Sequence, residues 1–453
     1  MLSSDILSEL RAGKLAGTTR LDLSADLTVF PPEIFDLAGS LEILNLSQNR
    51  LCDLPDDLHR LTKLRILFCS ENEFTHLPAV LGRCPSLTMI GFKSNQIRHV
   101  DERSLPSSLR WLILTDNRIS QLPSSIGRCR DLQKLMLAGN RLESLPDELS
   151  DCVNLELIRL SSNRLQMLPD WLFTLPRLSW LALAANPVFE TQLPSPPVAL
   201  IDWKDLELQE KLGEGASGVI YKANWHSNPD GHAGPVAVKI FKGVVTSDGL
   251  PASEMNHSIA VGAHPNLIQV LGRLANHPTG GLGLVMALMD QDFSNLAGPP
   301  SFASCTRDIY ADGQRFPIPV ALRLAMGVAS AAAHLHQRGT LHGDLYGHNV
   351  LFKPCGDCLL GDFGASSIYP LDNDAIAQSL QAIEVRAFGC LLEELLDRCV
   401  IENDEMVILE SLRILQLRCL STKVWERPSF DEIRTALCKL SDVVTDPAEA
   451  NCC

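Results

Sequence analysis

Asparagine recurs at a nearly constant interval through the first 190 residues of the chain. Each one closes a frame of the type L-x-x-L-x-L-x-x-N, as in "LEILNLSQN" and "LQKLMLAGN". The step between successive asparagines is 23 residues, except for one step of 22. A single frame cannot bury its own leucines, whereas stacked frames share one continuous core. The spacing therefore predicts a stack of short strands, and its asparagines are Asn49, Asn72, Asn95, Asn117, Asn140, Asn163 and Asn186.

The asparagine at the end of each frame has a specific expected role. Its amide both donates and accepts hydrogen bonds, so at a buried turn it can satisfy backbone groups of the neighbouring coil. Repeated along the stack, these bonds would form a ladder. Most frames are followed by Leu-Pro, which we expect on the convex side. The pattern resembles the leucine-rich repeat family from residue 19 to about residue 190, and the resemblance implies an α/β solenoid.

Two positions of each frame are expected to line the open, concave face of such a solenoid. A face that only meets water would be mostly polar, but these positions are mostly apolar. Either the face is covered or binds a partner, or its side chains pack sideways on one another, and both explanations stay open. The third positions are Ile43, Ile66, Met89, Trp111, Lys134, Leu157 and Trp180, and the fifth positions are Asn45, Phe68, Gly91, Ile113, Met136, Arg159 and Ala182.

Length, charge and cysteine usage narrow the class of protein. A chain of 453 residues is too long for one ordinary domain, so two or three are expected. Residues 201–453 carry 19 basic and 31 acidic side chains, which argues against nucleic acid or an anionic membrane as the main partner. The 14 cysteines are dispersed, as in reduced cytoplasmic proteins, so we expect a cytoplasmic location. No apolar run reaches the roughly 18 residues of a membrane span, and none is expected.

The composition changes after the last repeated asparagine. Pro194, Pro196 and Pro197 predict a short, stiff linker. We therefore expect a repeat domain with an N-terminal helical cap at residues 1–193, a linker at 194–201, a second domain at 202–440 and a tail at 441–453.

The second domain begins with a glycine pattern and a lysine. Gly213, Gly215 and Gly218 form G-x-G-x-x-G, with strand-like sequence on both sides, which predicts a β-hairpin whose glycines let the backbone cover phosphates. The next strand, "PVAVKIF", presents Lys239 as a phosphate clamp. Glu254 lies 15 residues further on, in a helical pattern, where it is placed to hold the lysine ammonium.

An acid and an amide five residues apart follow in "LHGDLYGHNVL", and "GDFG" comes next. The order of glycine loop, "VAVK", Glu, "HPN", "HGDLxxxxN", "DFG" and "ERPSF" resembles the protein kinase family over residues 202–440. The resemblance implies an α+β domain with two lobes, and with the repeats it makes a multidomain chain. It also implies phosphoryl transfer from ATP with Mg²⁺, which needs positioning and charge neutralisation more than covalent chemistry.

The resemblance assigns roles to individual residues. Asp344 would accept the hydroxyl proton or orient the nucleophile, with Lys239 as the second catalytic residue, and Asn349 and Asp362 would hold the metal. His342 is expected to be a packed structural residue. Met286 stands at the gatekeeper position, with 287–289 as the hinge. The nucleotide would be bound by Leu212, Gly213, Gly215, Ser217, Gly218, Val219, Ile220, Lys239, Glu254, Met286 and Met289.

The chain departs from the family in four places. Gly343 replaces the usual Arg, so switching by a phosphorylated activation loop is not expected. Tyr346 stands where serine/threonine kinases carry Lys. No "APE" lies between Asp362 and Glu384, which shortens the activation segment and the platform for a peptide, and Glu384 itself stands where the family has an Asp. Arg427, which normally pairs with the Glu of "APE", needs another partner because an unpaired buried charge is costly.

Three functions compete on this sequence. The first is a serine/threonine protein kinase whose repeats bind a protein substrate or regulator, or contact the kinase domain itself. The second is a small-molecule phosphotransferase, because "HGDLxxxN" also resembles aminoglycoside and choline kinases, which lack the activation segment. The third is a pseudokinase scaffold, against which the full set of motif residues argues.

Overall fold

The computed structural model describes residues 3–189, 198–215, 217–226, 234–242, 245–246, 248–401 and 405–444. Its contacts divide the chain into two units. The N-terminal unit comprises Met1–Leu178 and Ala185–Val188, and the C-terminal unit comprises Ser179–Ala184 and Phe189–Cys453.

The N-terminal unit is a stack of short parallel strands behind one helix. Helix α1 spans Ser3–Arg11, and the strands are β1 (Arg20–Asp22), β2 (Ile43–Asn45), β3 (Ile66–Phe68), β4 (His76–Leu77), β5 (Met89–Gly91), β6 (His99–Val100), β7 (Trp111–Ile113), β8 (Lys134–Met136) and β9 (Leu157–Arg159). Strands β1, β2, β3, β5, β7, β8 and β9 pair in parallel in that order, with equivalent frame positions in register. Strands β4 and β6 form a separate parallel pair.

The side chains between the two surface positions of each strand form the core. Leu44, Leu67, Ile90, Leu112 and Leu135 are fully buried. Opposite the strands, short 3₁₀ turns begin directly after the prolines of the Leu-Pro pairs. Proline suits the position before such a turn, because its carbonyl accepts the first bond of the turn and no backbone N–H is needed there. The expected solenoid, with turns on its other side, is therefore confirmed.

The asparagine ladder is present. In Asn117, the side-chain Nδ2 donates to Phe92 O at 2.9 Å, and Oδ1 accepts from Ile97 N at 2.9 Å. Asn140 makes the same pair of bonds one coil later, with Leu114 O and Ile119 N. Each buried amide thereby satisfies backbone groups that no strand neighbour reaches. The remaining members of the ladder are Asn49, Asn72, Asn95, Asn163 and Asn186.

The concave positions contact one another along the sheet. Trp111 Nε1 lies 3.4 Å from Met136 Sδ, and Lys134 Nζ lies 4.2 Å above the Trp111 ring. The Phe68 ring covers Gly91 so closely that a Cβ there would be 2.5 Å from it. Sideways packing therefore accounts for part of this apolar row.

The C-terminal unit has a strand-rich part and a helical part. Its strands are β10 (Trp180–Ala182), β11 (Ala199–Asp202), β12 (Leu206–Glu214), β13 (Gly218–Trp225), β14 (Gly234–Phe241), β15 (Val270–Ala275), β16 (Gly283–Ala287), β17 (Ser294–Asn295), β18 (Phe316–Pro317), β19 (Thr340–Leu341), β20 (Val350–Phe352), β21 (Cys358–Leu360), β22 (Ser367–Ile368) and β23 (Cys399–Val400). Its helices are α2 (Pro251–Ala260), α3 (Ile318–His336), α4 (Asp374–Leu396), α5 (Met406–Cys419) and α6 (Phe430–Val444).

A six-stranded sheet, in the order β11-β15-β16-β14-β13-β12, forms the first part of this unit. Its core includes Ala223, Val238 and Val285, which are fully buried. Helices α3 and α4 form the centre of the second part. Among the described helices, α3 has the length and apolar composition to cross a membrane, but 61% of that stretch is buried inside the protein, as in a core helix. The expected fold class, a repeat solenoid followed by an α+β domain with two lobes, is confirmed.

The structure differs from the expected linker at residues 194–201. Residues 194–197 lie outside the described residues, whereas Ala199–Asp202 forms β11 and pairs in parallel with β15. Strand β10 has the sequence of an eighth repeat strand, but its contacts group it with the C-terminal unit. A boundary read from composition alone therefore misses both strands.

Candidate active site

The glycine hairpin covers one side of the candidate site. Gly215 N donates to Gly218 O at 3.0 Å, which closes the turn between β12 and β13. A Cβ on Gly218 would be 2.6 Å from Ile240 O, so glycine is required there by the neighbouring strand. At Gly213 and Gly215 a Cβ would meet nothing within 4 Å. These two glycines therefore border open space on the side where the sequence predicts phosphates.

The predicted clamp lysine and its acid are in contact. Strand β14 presents Lys239, and its Nζ forms an ion pair with Glu254 Oε1 from α2. The Lys239 side chain is 12% exposed and that of Glu254 is 4% exposed. Burial raises the pKa of the Glu254 carboxyl, Lys239 works against that shift, and the nearby Asp362 carboxylate adds to it. The pair therefore holds the ammonium at a fixed, partly dehydrated position.

The expected nucleotide-binding residues lie along the same strands. Val219 and Ile220 in β13 pair with Ile240 and Lys239 in β14. Met286 in β16 pairs with Ala237, so the gatekeeper position lies one strand from the lysine strand. Leu212 is 48% exposed, whereas Ser217, Val219, Ile220, Met286 and Met289 are half-buried.

The loop between β19 and β20 holds the acid and the amide of "HGDLYGHN" together. Asn349 Nδ2 donates to Asp344 O and to Asp344 Oδ2, both at 2.8 Å. These bonds use the amide nitrogen of Asn349 and leave its amide oxygen to face other groups. His342 is fully buried, and its Nε2 donates to Gly361 O at 2.9 Å while Nδ1 accepts from Asp344 N. The expectation that His342 is a packed structural residue is confirmed.

Asp362 is exposed and lies in the left-handed backbone region, at φ +58°. Its Oδ1 accepts from Gly364 N at 3.1 Å. Its charge acts on the pKa values of both Glu254 and His348, which places the carboxylate near the ion pair on one side and near the catalytic loop on the other.

A carboxylate and an amide oxygen are hard ligands of the kind that Mg²⁺ takes together with waters and phosphates. Among the described residues, no group of three His, Cys, Asp or Glu side chains is placed to hold a metal by itself. Asn349 and Asp362 therefore fit a metal that is shared with a bound phosphate rather than one enclosed by the protein.

Two further carboxylates lie in this region: the sequence analysis placed Glu384 at the position of a family Asp, whereas it missed Asp308. Glu384 of α4 is 1% exposed. It accepts from Gly343 N at 2.7 Å and from His336 Nε2 at 2.8 Å. Asp308 accepts from the backbone N and from Nδ1 of His348, at 2.9 and 2.7 Å. Asp308 stands at no motif spacing that relates it to the loop, so local pattern gave no signal for it.

His348 lies between two acids. Burial lowers the pKa of its imidazole, but the Asp308 hydrogen bond and the charges of Asp344 and Asp362 outweigh burial, and the net pKa is raised. Its Nε2 lies 3.9 Å from Asp344 Oδ2. The acid of this loop therefore has a half-buried histidine neighbour that is held by a second carboxylate.

Arg427 has found partners other than the missing "APE" glutamate. Its guanidinium donates to Ser421 O and to Ala382 O, both at 2.9 Å. Burial, with the nearby Arg386 charge, lowers the pKa of Arg427 to about 9. Two backbone carbonyls thus supply hydrogen-bond acceptors for Arg427 in place of the glutamate that the family carries.

Comparison with known families agrees with this geometry. A model of the "Protein tyrosine and serine/threonine kinase" family matches residues 206–386. Leucine-rich repeat models match residues 40–61, 107–165 and 130–188. The chain joins leucine-rich repeats to a protein kinase domain. Both resemblances drawn from the sequence are confirmed.

Individual relatives are distant. The chain is 26% identical to the Activated Cdc42 kinase Ack of Drosophila melanogaster, over 40% of this chain and 16% of that protein. It is 24% identical to the probable serine/threonine-protein kinase gdt2 of Dictyostelium discoideum, over 56% and 15%. It is 27% identical to the proto-oncogene serine/threonine-protein kinase mos of Rattus norvegicus, over 37% and 48%. The chain thus spans less than half the length of each of these relatives.

Proposed function

We propose that the chain is an ATP- and Mg²⁺-dependent serine/threonine protein kinase whose repeats bind a protein substrate or regulator. One observation carries the proposal: the buried Lys239–Glu254 ion pair and the Asp344–Asn349 pair are assembled in the same unit as the exposed Asp362. A scaffold that had lost catalysis would have no need to keep this set in contact. The names of the Dictyostelium and rat relatives support the serine/threonine class.

The protein's contribution to phosphoryl transfer is positioning and charge. Lys239, held by Glu254, directs a positive charge at the phosphates under the glycine hairpin. Asp344, held by Asn349, orients the substrate hydroxyl and accepts its proton. Asn349 and Asp362 would hold Mg²⁺, which supplies neutralisation of the phosphate charge when it is bound. Gly213, Gly215 and Gly218 shape the cover over the phosphates, and Met286 and Met289 border the adenine side.

A small-molecule phosphotransferase is the second candidate, and one observation favours it. Helix α4 begins at Asp374, so only residues 363–373 separate it from Asp362. This segment is short for a platform that holds an extended peptide. A protein substrate would then be held mainly elsewhere, and the repeats are the natural place. Leucine-rich repeats generally mediate protein contacts through a broad surface.

The location is also part of the proposal. All twelve cysteines in the described part of the chain are free thiols, and most of them are buried. Free thiols dispersed through two domains are typical of a reducing compartment. We therefore place the kinase in the cytoplasm, and expression of the tagged protein followed by fractionation tests this.

The decisive experiment measures transfer of labelled phosphate from ATP with Mg²⁺ to the protein itself, to a panel of Ser/Thr and Tyr peptides, and to small alcohols and amines. Lys239→Met and Asp362→Ala should each abolish transfer. The control is Lys222→Met. Lys222 lies on the adjacent strand, and its ion-pair partner is Glu210 rather than Glu254. Transfer by both site variants at the wild-type rate would show that the site is assigned wrongly. Labelling of small alcohols or amines alone would select the second candidate, and labelling of tyrosine alone would exclude the serine/threonine class.

A further inference from the structure

Strand β10, which belongs to the C-terminal unit, contacts the catalytic loop directly. The Trp180 ring of β10 stacks on the Tyr346 ring, with centroids 4.1 Å apart and planes 6° from parallel. Trp180 Nε1 also donates to Leu345 O at 3.1 Å. Both rings are almost fully buried, at 1% and 4% exposure. Stacking together with a buried hydrogen bond fixes the two residues that follow Asp344.

The residue directly after β10 also contacts the segment that follows Asp362. Leu183 N donates to Ser367 Oγ at 2.8 Å. Ser367 lies in β22, which pairs with β19 at the entrance to the catalytic loop. Residues 179–184 therefore touch both chain segments that carry the catalytic acids.

Gly343 shows how close this approach is. A Cβ at this position would be 2.7 Å from Leu181 O and 2.5 Å from Ala365 O, and the backbone has φ +73°. The arginine that the family carries here would not fit beside the strand backbone. The unusual glycine, the Tyr346 replacement and the short segment before α4 thus occur at one place in the structure.

We propose that residues 179–184 take the place of a longer activation segment, and that Trp180 is a positioning residue that holds the catalytic loop in its working geometry. The inference rests on the proposed kinase function. The strand supplies in every folded chain the support that a phosphorylated loop gives other kinases. Activity therefore needs no activating phosphorylation, and it requires residues 179–184 of the same unit.

An inhibitory role for the same strand is the alternative, and exposure argues against it. The Asp344 side chain keeps 17% of its surface exposed, and Asp362 is exposed. A segment that blocked the substrate would cover these carboxylates. Here it lies against Leu345 and Tyr346.

The test uses the full chain with Trp180→Ala and Trp180→Phe. The matched control is Trp171→Ala, which removes a tryptophan from a 3₁₀ turn of the N-terminal unit. Three quantities are measured: the rate of autophosphorylation from labelled ATP, the affinity for a fluorescent ATP analogue, and amide hydrogen exchange of residues 341–349. The last two do not require that the protein transfers phosphate.

We expect Trp180→Ala to lower the transfer rate at least about tenfold, or about 1.4 kcal/mol in the barrier. Nucleotide affinity should stay within about twofold, because the nucleotide contacts lie on other strands, and exchange in the loop should accelerate. Trp180→Phe keeps a stacking ring but loses the bond to Leu345 O. Its transfer rate and its loop exchange should therefore lie between those of the wild type and those of Trp180→Ala. Trp171→Ala should match the wild type in all three measurements.

The outcomes separate this inference from the proposed function. Wild-type transfer together with unchanged loop exchange in Trp180→Ala would overturn the positioning role, and a faster rate would establish inhibition instead. If the wild type transfers no phosphate to any acceptor, the proposed function fails, while hydrogen exchange still decides whether Trp180 orders the loop. If Trp180→Ala does not fold, Ser367→Ala replaces it. This variant removes only the hydroxyl that binds Leu183 N, and unchanged rate and exchange in it and in Trp180→Phe would contradict the proposal.

Discussion

Replacing Gly343 with alanine tests the close approach of three backbone segments at the catalytic loop. A non-glycine residue in the left-handed region costs roughly 1–2 kcal/mol. The added Cβ would also lie 2.5 Å from Ala365 O and 2.7 Å from Leu181 O, and both contacts involve backbone atoms that cannot rotate away. Overpacking of this kind costs about 1–3 kcal/mol. We therefore expect Gly343→Ala to lower the free energy of unfolding of the C-terminal unit by about 2–5 kcal/mol.

Gly262 provides a matched control in the same unit. It has φ +69°, but the nearest atom to a Cβ there is Arg338 Nε at 4.0 Å. Gly262→Ala therefore carries the backbone strain without the collision. Part of that strain is offset because alanine restricts the unfolded chain, by about 0.4–1 kcal/mol. The difference between the two variants should be about 1–3 kcal/mol, the share due to the collision.

The assay is urea denaturation followed by tryptophan fluorescence, with the phosphate transfer rate measured on the same samples. Gly343→Ala should also slow transfer, since the neighbouring residue is Asp344 and the Gly343 N–H is bound to Glu384. Equal destabilisation by the two variants would refute the reasoning, because it would mean that neither Leu181 nor Ala365 approaches as closely as described.

Four further outcomes are expected. Burial lowers the pKa of His257 to about 4. Below about pH 6.5 the unfolded chain therefore binds a proton at this histidine that the folded chain does not bind. The free energy of unfolding should fall by up to about 3 kcal/mol as the pH drops from 6.5 to 4. His257→Asn should flatten that fall in a urea series over pH, and an unchanged slope would exclude His257 as its source. Asn117→Ala leaves two buried backbone groups unsatisfied and should lower the free energy of unfolding by about 2–4 kcal/mol, measured by thermal unfolding. Asn154→Ala removes an exposed bond and should lower it by less than about 1 kcal/mol. Phosphatase treatment should change activity by less than about tenfold, since Gly343 offers no phosphate-binding guanidinium; a larger drop would contradict the constitutive state. The double variant Trp111→Ala, Phe68→Ala should have a lower thermal stability, because the sideways contacts of both rings are lost. If the variant keeps its stability but no longer captures a protein partner, these rings belong to a binding face instead.

The parts of this structure that could be predicted from the sequence depend on local spacing or on the order of the motifs. The asparagine ladder follows from a 23-residue period, because each bond joins neighbouring coils. Lys239 and Glu254 were paired from a strand and a helix 15 residues apart. The roles of the motif residues toward nucleotide and metal remain predictions, since they concern groups that the chain binds.

What the sequence analysis missed depends on contacts between distant residues. Tyr346 was recognised as a departure, but its partner Trp180 was placed among concave repeat positions because it fits the repeat frame. Strand β11 followed three prolines, and that composition indicated a linker although the next residues complete a sheet edge. Asp308 lies 40 residues before His348, in a stretch without a motif. In each case tertiary pairing, rather than local pattern, decided the outcome.

The contact between Trp180 and Leu345 also sets an order of events during synthesis. It joins residues 165 positions apart, and the contact between Leu183 and Ser367 joins residues 184 apart. Translation adds about 5–20 residues per second, so the ribosome makes residues 180–183 on the order of ten seconds before it makes Leu345 and Ser367. During that interval the apolar strand around Trp180 is an exposed edge, which is a hazard for aggregation. A nascent chain that stalls before residue 345 is therefore left with a strand whose contact surface has not yet been made.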